Sequence, residues 1–159
     1  MLKKIFVGIM IFCLTITSCL VIGGGEASAS GQMKPLPGAP GWKYRVDGPH
    51  VDGVNNDWHV HVEKGSIKGA ETVKGGESHN KTLSSAGVPK TVQKKVKETS
   101  EYKRALEKQK KLDKERDKAS KFSWKTIIIK PYIYLAAVAT AAGLTVWQII
   151  KAGPRFIFA

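Results

Sequence analysis

Two long apolar runs stand at opposite ends of the chain, residues 5–22 behind Lys3 and Lys4 and residues 131–150 between Lys130 and Lys151, with a polar, lysine-rich stretch between them. The middle carries short alternating patterns. In Asp57-Trp58-His59-Val60-His61-Val62-Glu63, alternation puts Trp58, Val60 and Val62 on one face and His59 and His61 on the other. This predicts a strand whose apolar face packs and whose histidine face looks outward. Strands are also predicted over 42–46 and 67–73, separated by the turn-formers Asp47-Gly48-Pro49, Asp52-Gly53, Asn55-Asn56 and Lys64-Gly65. A meander of two or three strands is marginal alone and needs a helix or a partner over its apolar face. Residues 31–41, with Pro35, Pro37, Gly38 and Pro40, read as an extended lead-in.

Residues 89–121 read as a helix that opens at Pro89 and is interrupted near Thr99-Ser100, where Ser100 caps a second segment. Val92, Val96, Tyr102, Leu106 and Leu112 form a thin apolar stripe among many lysines. That is a basic helix burying one narrow face, without the heptad of a coiled coil.

Residues 131–150 are twenty positions without a charge, about 30 Å as a helix, the thickness of a bilayer core. Trp124, Tyr132 and Tyr134 lie at one end and Trp147, Phe156 and Phe158 at the other, as for side chains seeking two interfaces. Pro131 suits a first helical turn and Gly153-Pro154 an end. Lys125, Lys130 and Lys151 flank the run, and the spacing of Ala139 and Gly143 allows close helix–helix approach and self-association in lipid. The flanking charge is awkward for export of the middle: Arg116, Lys118, Lys121, Lys125 and Lys130 fall on the outer side and only Lys151 and Arg155 on the inner. An overriding signal, an N-terminal segment that does not export, or insertion from outside after secretion would each resolve it.

Residues 1–29 have the basic start, apolar run and Ala27-Ser28-Ala29 exit of a secretory signal, whose cleavage leaves Ser30 first. Ile16-Thr17-Ser18-Cys19 offers lipidation at Cys19 as the other exit. Cys13 and Cys19 are the only cysteines, so a chain cut after Ala29 has neither a disulfide nor a thiolate metal site. The expected organisation is a signal (1–29), a Pro/Gly-rich linker (30–41), a small basic α+β module (42–121) and an apolar membrane-associated segment (122–159). The fold class is α+β: a small β-meander, a basic helical segment, then a separate apolar helix of transmembrane type. The address is export, to the cell membrane or beyond it. The formal net charge of +13 favours anionic partners. Membrane lipid and wall polymer come first for an exported protein, and nucleic acid only after delivery into a cell.

Chemistry concentrates on the four histidines, His50, His59, His61 and His79. His59-x-His61 on one strand face is a spacing found in zinc sites, with Asp47, Asp52, Asp57 or Glu63 near enough in sequence to add a ligand. The alternatives are acid–base work by His59, His61 and His79 in phosphodiester cleavage, with Lys68 or Lys81 stabilising the anion, or simply a polar outer face. No phosphate-binding glycine loop or nucleophile elbow occurs, and no cofactor is expected.

The stretch from Trp58 to Gly65, then Ser78-His79-Asn80-Lys81, then Val88-Pro89-Lys90-Thr91-Val92-Gln93-Lys94-Lys95-Val96, resembles small modules of secreted toxins and polymorphic-toxin tails of Gram-positive bacteria. The resemblance implies a secreted or contact-dependent effector. The leading expectation is an exported, membrane-active envelope protein or bacteriocin-like toxin whose C-terminal helix inserts through Trp124 to Lys151. A His-dependent nuclease or phosphodiesterase and a non-catalytic anchored envelope module are the alternatives.

Overall fold

The computed structural model describes residues 31–51 and 56–158. The signal and lipidation readings, with Cys13, Cys19 and Ala29, lie outside the described residues, as does Asp52. Four antiparallel strands, β1 (Lys34–Pro35), β2 (Lys43–Asp47), β3 (His59–Lys64) and β4 (Ile67–Thr72), follow in sheet order 1-2-3-4. In the register Tyr44 faces Val62, Val46 faces Val60, and Asp47 faces His59. The period-2 alternation of β3 thereby divides the sheet into an apolar face and a polar one.

Helices α1 (Lys90–Glu98) and α2 (Ser100–Ser120) cover the apolar face. Tyr44, Val60, Val62 and Val73 pack there with Leu83, Val88, Val92, Val96, Tyr102 and Ala105. A Cβ on Gly69 would come within 3.0 Å of Val88 and 3.1 Å of Leu83, so glycine lets β4 lie close under the 83–88 loop. The expected break between the helices is present one residue earlier than the sequence implies. Thr99 is extended (φ −64°, ψ 148°) and its side chain accepts from the Tyr102 amide at 3.3 Å, so Thr99 rather than Ser100 is the cap.

The C-terminal run departs from expectation. Instead of one spanning helix it forms α3 (Trp124–Ile129), α4 (Pro131–Tyr134), α5 (Ala136–Ala142), α6 (Val146–Ala152) and a 3₁₀ turn (Pro154–Phe156). No helix among the described residues is long and apolar enough to cross a membrane, which removes the transmembrane reading. Local chemistry sets the breaks. Lys130 precedes a proline and leaves the helical region (φ −126°, ψ 59°). Gly143 ends α5 in the left-handed region (φ 72°), and Thr145 starts α6 with a capping box closed by Gln148.

Nor is this layer separate from the rest. α2 is 21 residues long, about 30 Å, and its second half provides Leu112 and Ala119 to a further core with Ile127, Leu135, Val138, Ala139, Ala142, Ile149, Phe156 and Ile157. Ala139 is buried in the chain's own core and Gly143 serves a turn, so the expected self-association strip is already used within the fold. Arg116, assigned by sequence to a lipid flank, is buried. Its guanidinium donates to Asp57 Oδ1 at 2.7 Å and to the Asn56 carbonyl at 2.6 Å, and lies 4.5 Å over the Phe156 ring. Of the residues expected to meet lipid, Trp124, Pro131 and Tyr134 are half-buried, Tyr134 packing 4.4 Å from the Phe122 ring. Tyr132 (73 %) and Trp147 (62 %) are exposed, as are Lys125, Lys130 and Lys151.

Candidate functional site: a histidine cluster on the polar face of the sheet

All four histidines meet at one place, brought there by separate segments. His59 is on the central strand β3, with Asp47 of β2 on one side and Thr72 of β4 on the other; His61 follows two residues on, between Arg45 and Ala70. Both point to the polar face, as alternation requires. His50 enters from the loop after β2, where Gly48 and Pro49 are buried. His79 comes from a hairpin turn in which Ser78 and Lys81 exchange backbone hydrogen bonds of 2.8 and 3.1 Å. The two turn residues, His79 (φ 52°) and Asn80 (φ 59°), both have positive φ, the pattern of a type I′ turn. Glycine is the easy residue at such positions, so histidine in the first of them holds a backbone strained by order 1 kcal/mol. This strain aims a ring at the strand.

The ring centroids are 5.0 Å apart for His50–His59, 5.2 Å for His59–His79, 5.8 Å for His50–His79, 5.1 Å for His59–His61 and 5.0 Å for His61–His79. His59 Nε2 is 3.4 Å from His79 Nε2, and His59 Nδ1 is 3.0 Å from the Asp57 carbonyl. A carbonyl only accepts, so Nδ1 carries the proton and Nε2 presents its lone pair to the cluster. Contrary to an outward-looking histidine face, His59 is fully buried, because the 50 and 79 loops fold over it. His61 is partly exposed and His79 exposed.

Asp47 is 3 % exposed behind these rings. Arg45 Nε donates to its Oδ2 at 2.8 Å, and His61 Nε2 stands 3.3 Å from the same oxygen, within ion-pair reach. His61 Nε2 is buried and has no hydrogen-bond partner of good geometry. Burial by itself would raise the Asp47 carboxyl; His61 and Arg45 outweigh it and hold the group below the usual carboxylate range.

Burial, reinforced by His61 and His50, pushes His59 down from 6.5 to about 4, so its ring is neutral at pH 7. The unfolded chain takes up a proton at His59 below about pH 6.5, whereas the folded chain does so only near pH 4. Unfolding is therefore favoured as pH falls through that window. His50, His61, His79 and Asp47 are the titratable groups that face this part of the sheet. We expect the urea midpoint of the metal-free protein to drop between pH 6.5 and 4. The drop should be shallower in His59→Gln, and equal slopes in the two proteins would refute the assignment.

The structure thus unites His59, His61 and His79 and adds His50 and Asp47, which the strand pattern did not single out as a pair. The clue to both was the segment Asp47-Gly48-Pro49-His50, a turn that returns the chain over the strand it has just left. Other expected ligands are elsewhere. Asp57 is held by Arg116 at 2.7 Å and Lys74 at 2.9 Å, and Glu63 stands opposite Lys68 in the strand register, farther along the hairpin. Lys81 closes the His79 turn and is exposed. A cleft of about 610 Å³ lies nearby, but the histidines do not line it; Asp57, Glu77, Asp113 and Asp117 outnumber Lys74 and Arg116 there, a poor balance for a phosphate. The atoms of His50, His59 and His79, and separately of Asp47, His59 and His61, lie within 4.8 Å of one another, close enough for either set to share one ion. Comparison with protein-family models, with curated proteins and with solved structures finds no match to this chain.

Proposed function

We propose that the chain is a histidine-dependent hydrolase of phosphodiester bonds in an anionic polymer, and that it works as an exported effector. The convergence of four imidazoles and a buried carboxylate from four separate segments carries this reading. Burying His59 and bending His79 into a type I′ turn both cost stability, and sites that store such strain tend to be functional. His61 takes the proton from the attacking water, and Asp47, anchored by Arg45 and 3.3 Å from His61 Nε2, stabilises the charged form of the ring. Oxygen from water bonds to phosphorus, the phosphorus–oxygen bond to the leaving group breaks, and the departing oxygen takes up a proton from solvent, to which His61 then releases its own. Lys81, exposed and two residues after His79, adds a positive charge to this turn, and the net charge of +13 draws a polyanion toward the protein.

Wall teichoic acid and nucleic acid share this bond, the first met on export and the second inside a recipient cell. Purified protein incubated with RNA, DNA and a teichoic-acid polymer should release soluble phosphate-bearing fragments from at least one of them. Release from none, or equal release by His61→Gln, refutes the proposal.

A further inference from the structure

We infer that His50, His59 and His79 form a binding site for one borderline divalent transition-metal ion of the zinc class. A tetrahedral ion with nitrogen ligands at about 2.0–2.1 Å separates the ligand nitrogens by about 3.4 Å and the ring centroids by about 5 Å. His59 Nε2 and His79 Nε2 are 3.4 Å apart, and the three centroid separations are 5.0, 5.2 and 5.8 Å. The rings already stand at the spacing that such an ion imposes.

The surroundings fit as well. The His59 Nδ1 proton is spent on the Asp57 carbonyl, the outer hydrogen bond that fixes the tautomer and rotation of a metal-binding imidazole. His59 is buried, His50 half-buried and His79 exposed, so the ligand set runs from the interior to the surface. Three imidazoles and one open position are the ligand set of a catalytic rather than a structural zinc site. Nitrogen ligands favour zinc, cobalt, nickel or copper over magnesium or calcium.

The set Asp47, His59 and His61 is the weaker choice. Asp47 Oδ2 already accepts from the Arg45 guanidinium at 2.8 Å, and an ion on that oxygen would sit beside a fixed positive charge. Leaving the pair free also puts His61 where it is useful, with its ring centred 5.1 Å from that of His59 and 5.0 Å from that of His79. A water on the ion would be acidified and could pass its proton to His61. That role of the water rests on the hydrolytic reading; binding of the ion rests on the ring geometry alone.

The test uses the full chain without a histidine tag, stripped by chelator. Zn²⁺ titration by calorimetry should show one equivalent bound, and Co²⁺ should give the intense visible absorption of a four-coordinate site. His79→Gln, at an exposed turn, should keep the wild-type circular dichroism and weaken binding more than about 100-fold, whereas His61→Gln should bind as wild type does. No saturable uptake, or affinity unchanged in both His79→Gln and His50→Gln, overturns the inference. Zinc binding without polymer cleavage would uphold the site and reject the hydrolase; chelator-resistant cleavage without zinc binding would do the reverse.

Discussion

The His61→Gln variant should keep its fold and lose about 10²–10⁴-fold in phosphodiester turnover, the usual contribution of a positioned general base. Glutamine approximates the length of histidine but cannot accept a proton at neutral pH. Little stability is at stake, since His61 Nε2 makes no hydrogen bond of good geometry in the native protein. The melting temperature should therefore stay within a few degrees of wild type. Asp47→Asn tests the pair from the other side. Asp47 is 3 % exposed and accepts from Arg45 at 2.8 Å, so loss of its charge should lower both turnover and stability, the latter by about 1–3 kcal/mol. Turnover measured at matched folded fractions separates the two effects, and wild-type turnover in His61→Gln would remove His61 from the chemistry.

Leu112→Ala should destabilise the protein by about 3–5 kcal/mol, as truncations of fully buried leucines do. For a chain of this size that is roughly 10–20 °C in melting temperature. Leu112 is 0 % exposed and belongs to the core that joins α2 to Ile127, Leu135 and Val138. The substitution thus measures whether the apolar C-terminal layer closes over α2. Were residues 131–150 instead to leave the module as one helix, Leu112 would face solvent and alanine would cost under about 0.5 kcal/mol. Thermal and urea unfolding followed by circular dichroism distinguishes these values, and the small one would sink the packed arrangement.

What could be read in the sequence was local. The alternation from Asp57 to Glu63 identified the central strand and placed Val60 and Val62 on one face and the two histidines on the other, because successive side chains must point to opposite sides. The break at Thr99 was legible because a β-branched hydroxyl residue is a ready helix cap, although the neighbouring serine was the expected one. The turn at His79-Asn80 was not read, since neither residue is the glycine that usually marks positive φ. With that turn unread, nothing in the pattern could bring His79 over His59.

The apolar C-terminus shows the same division. Its composition determined that these residues must leave water, and Pro131 and Gly143 carried the signals that break a helix. Composition does not say what covers an apolar surface, because lipid tails and a neighbouring helix satisfy it equally well. The tertiary structure decided: α2 extends beyond the sheet and offers Leu112, Arg116 and Ala119 as a platform, and the short helices bury Ile127, Leu135, Val138 and Ile149 there. Sequence by itself thus determined three of the four strands of the sheet, the paired basic helices and the polar histidine face, all consequences of side-chain period and capping within a few residues. Only the tertiary structure decided that four histidines share one site and that the last apolar run folds back on the chain, because both depend on contacts between residues far apart in sequence.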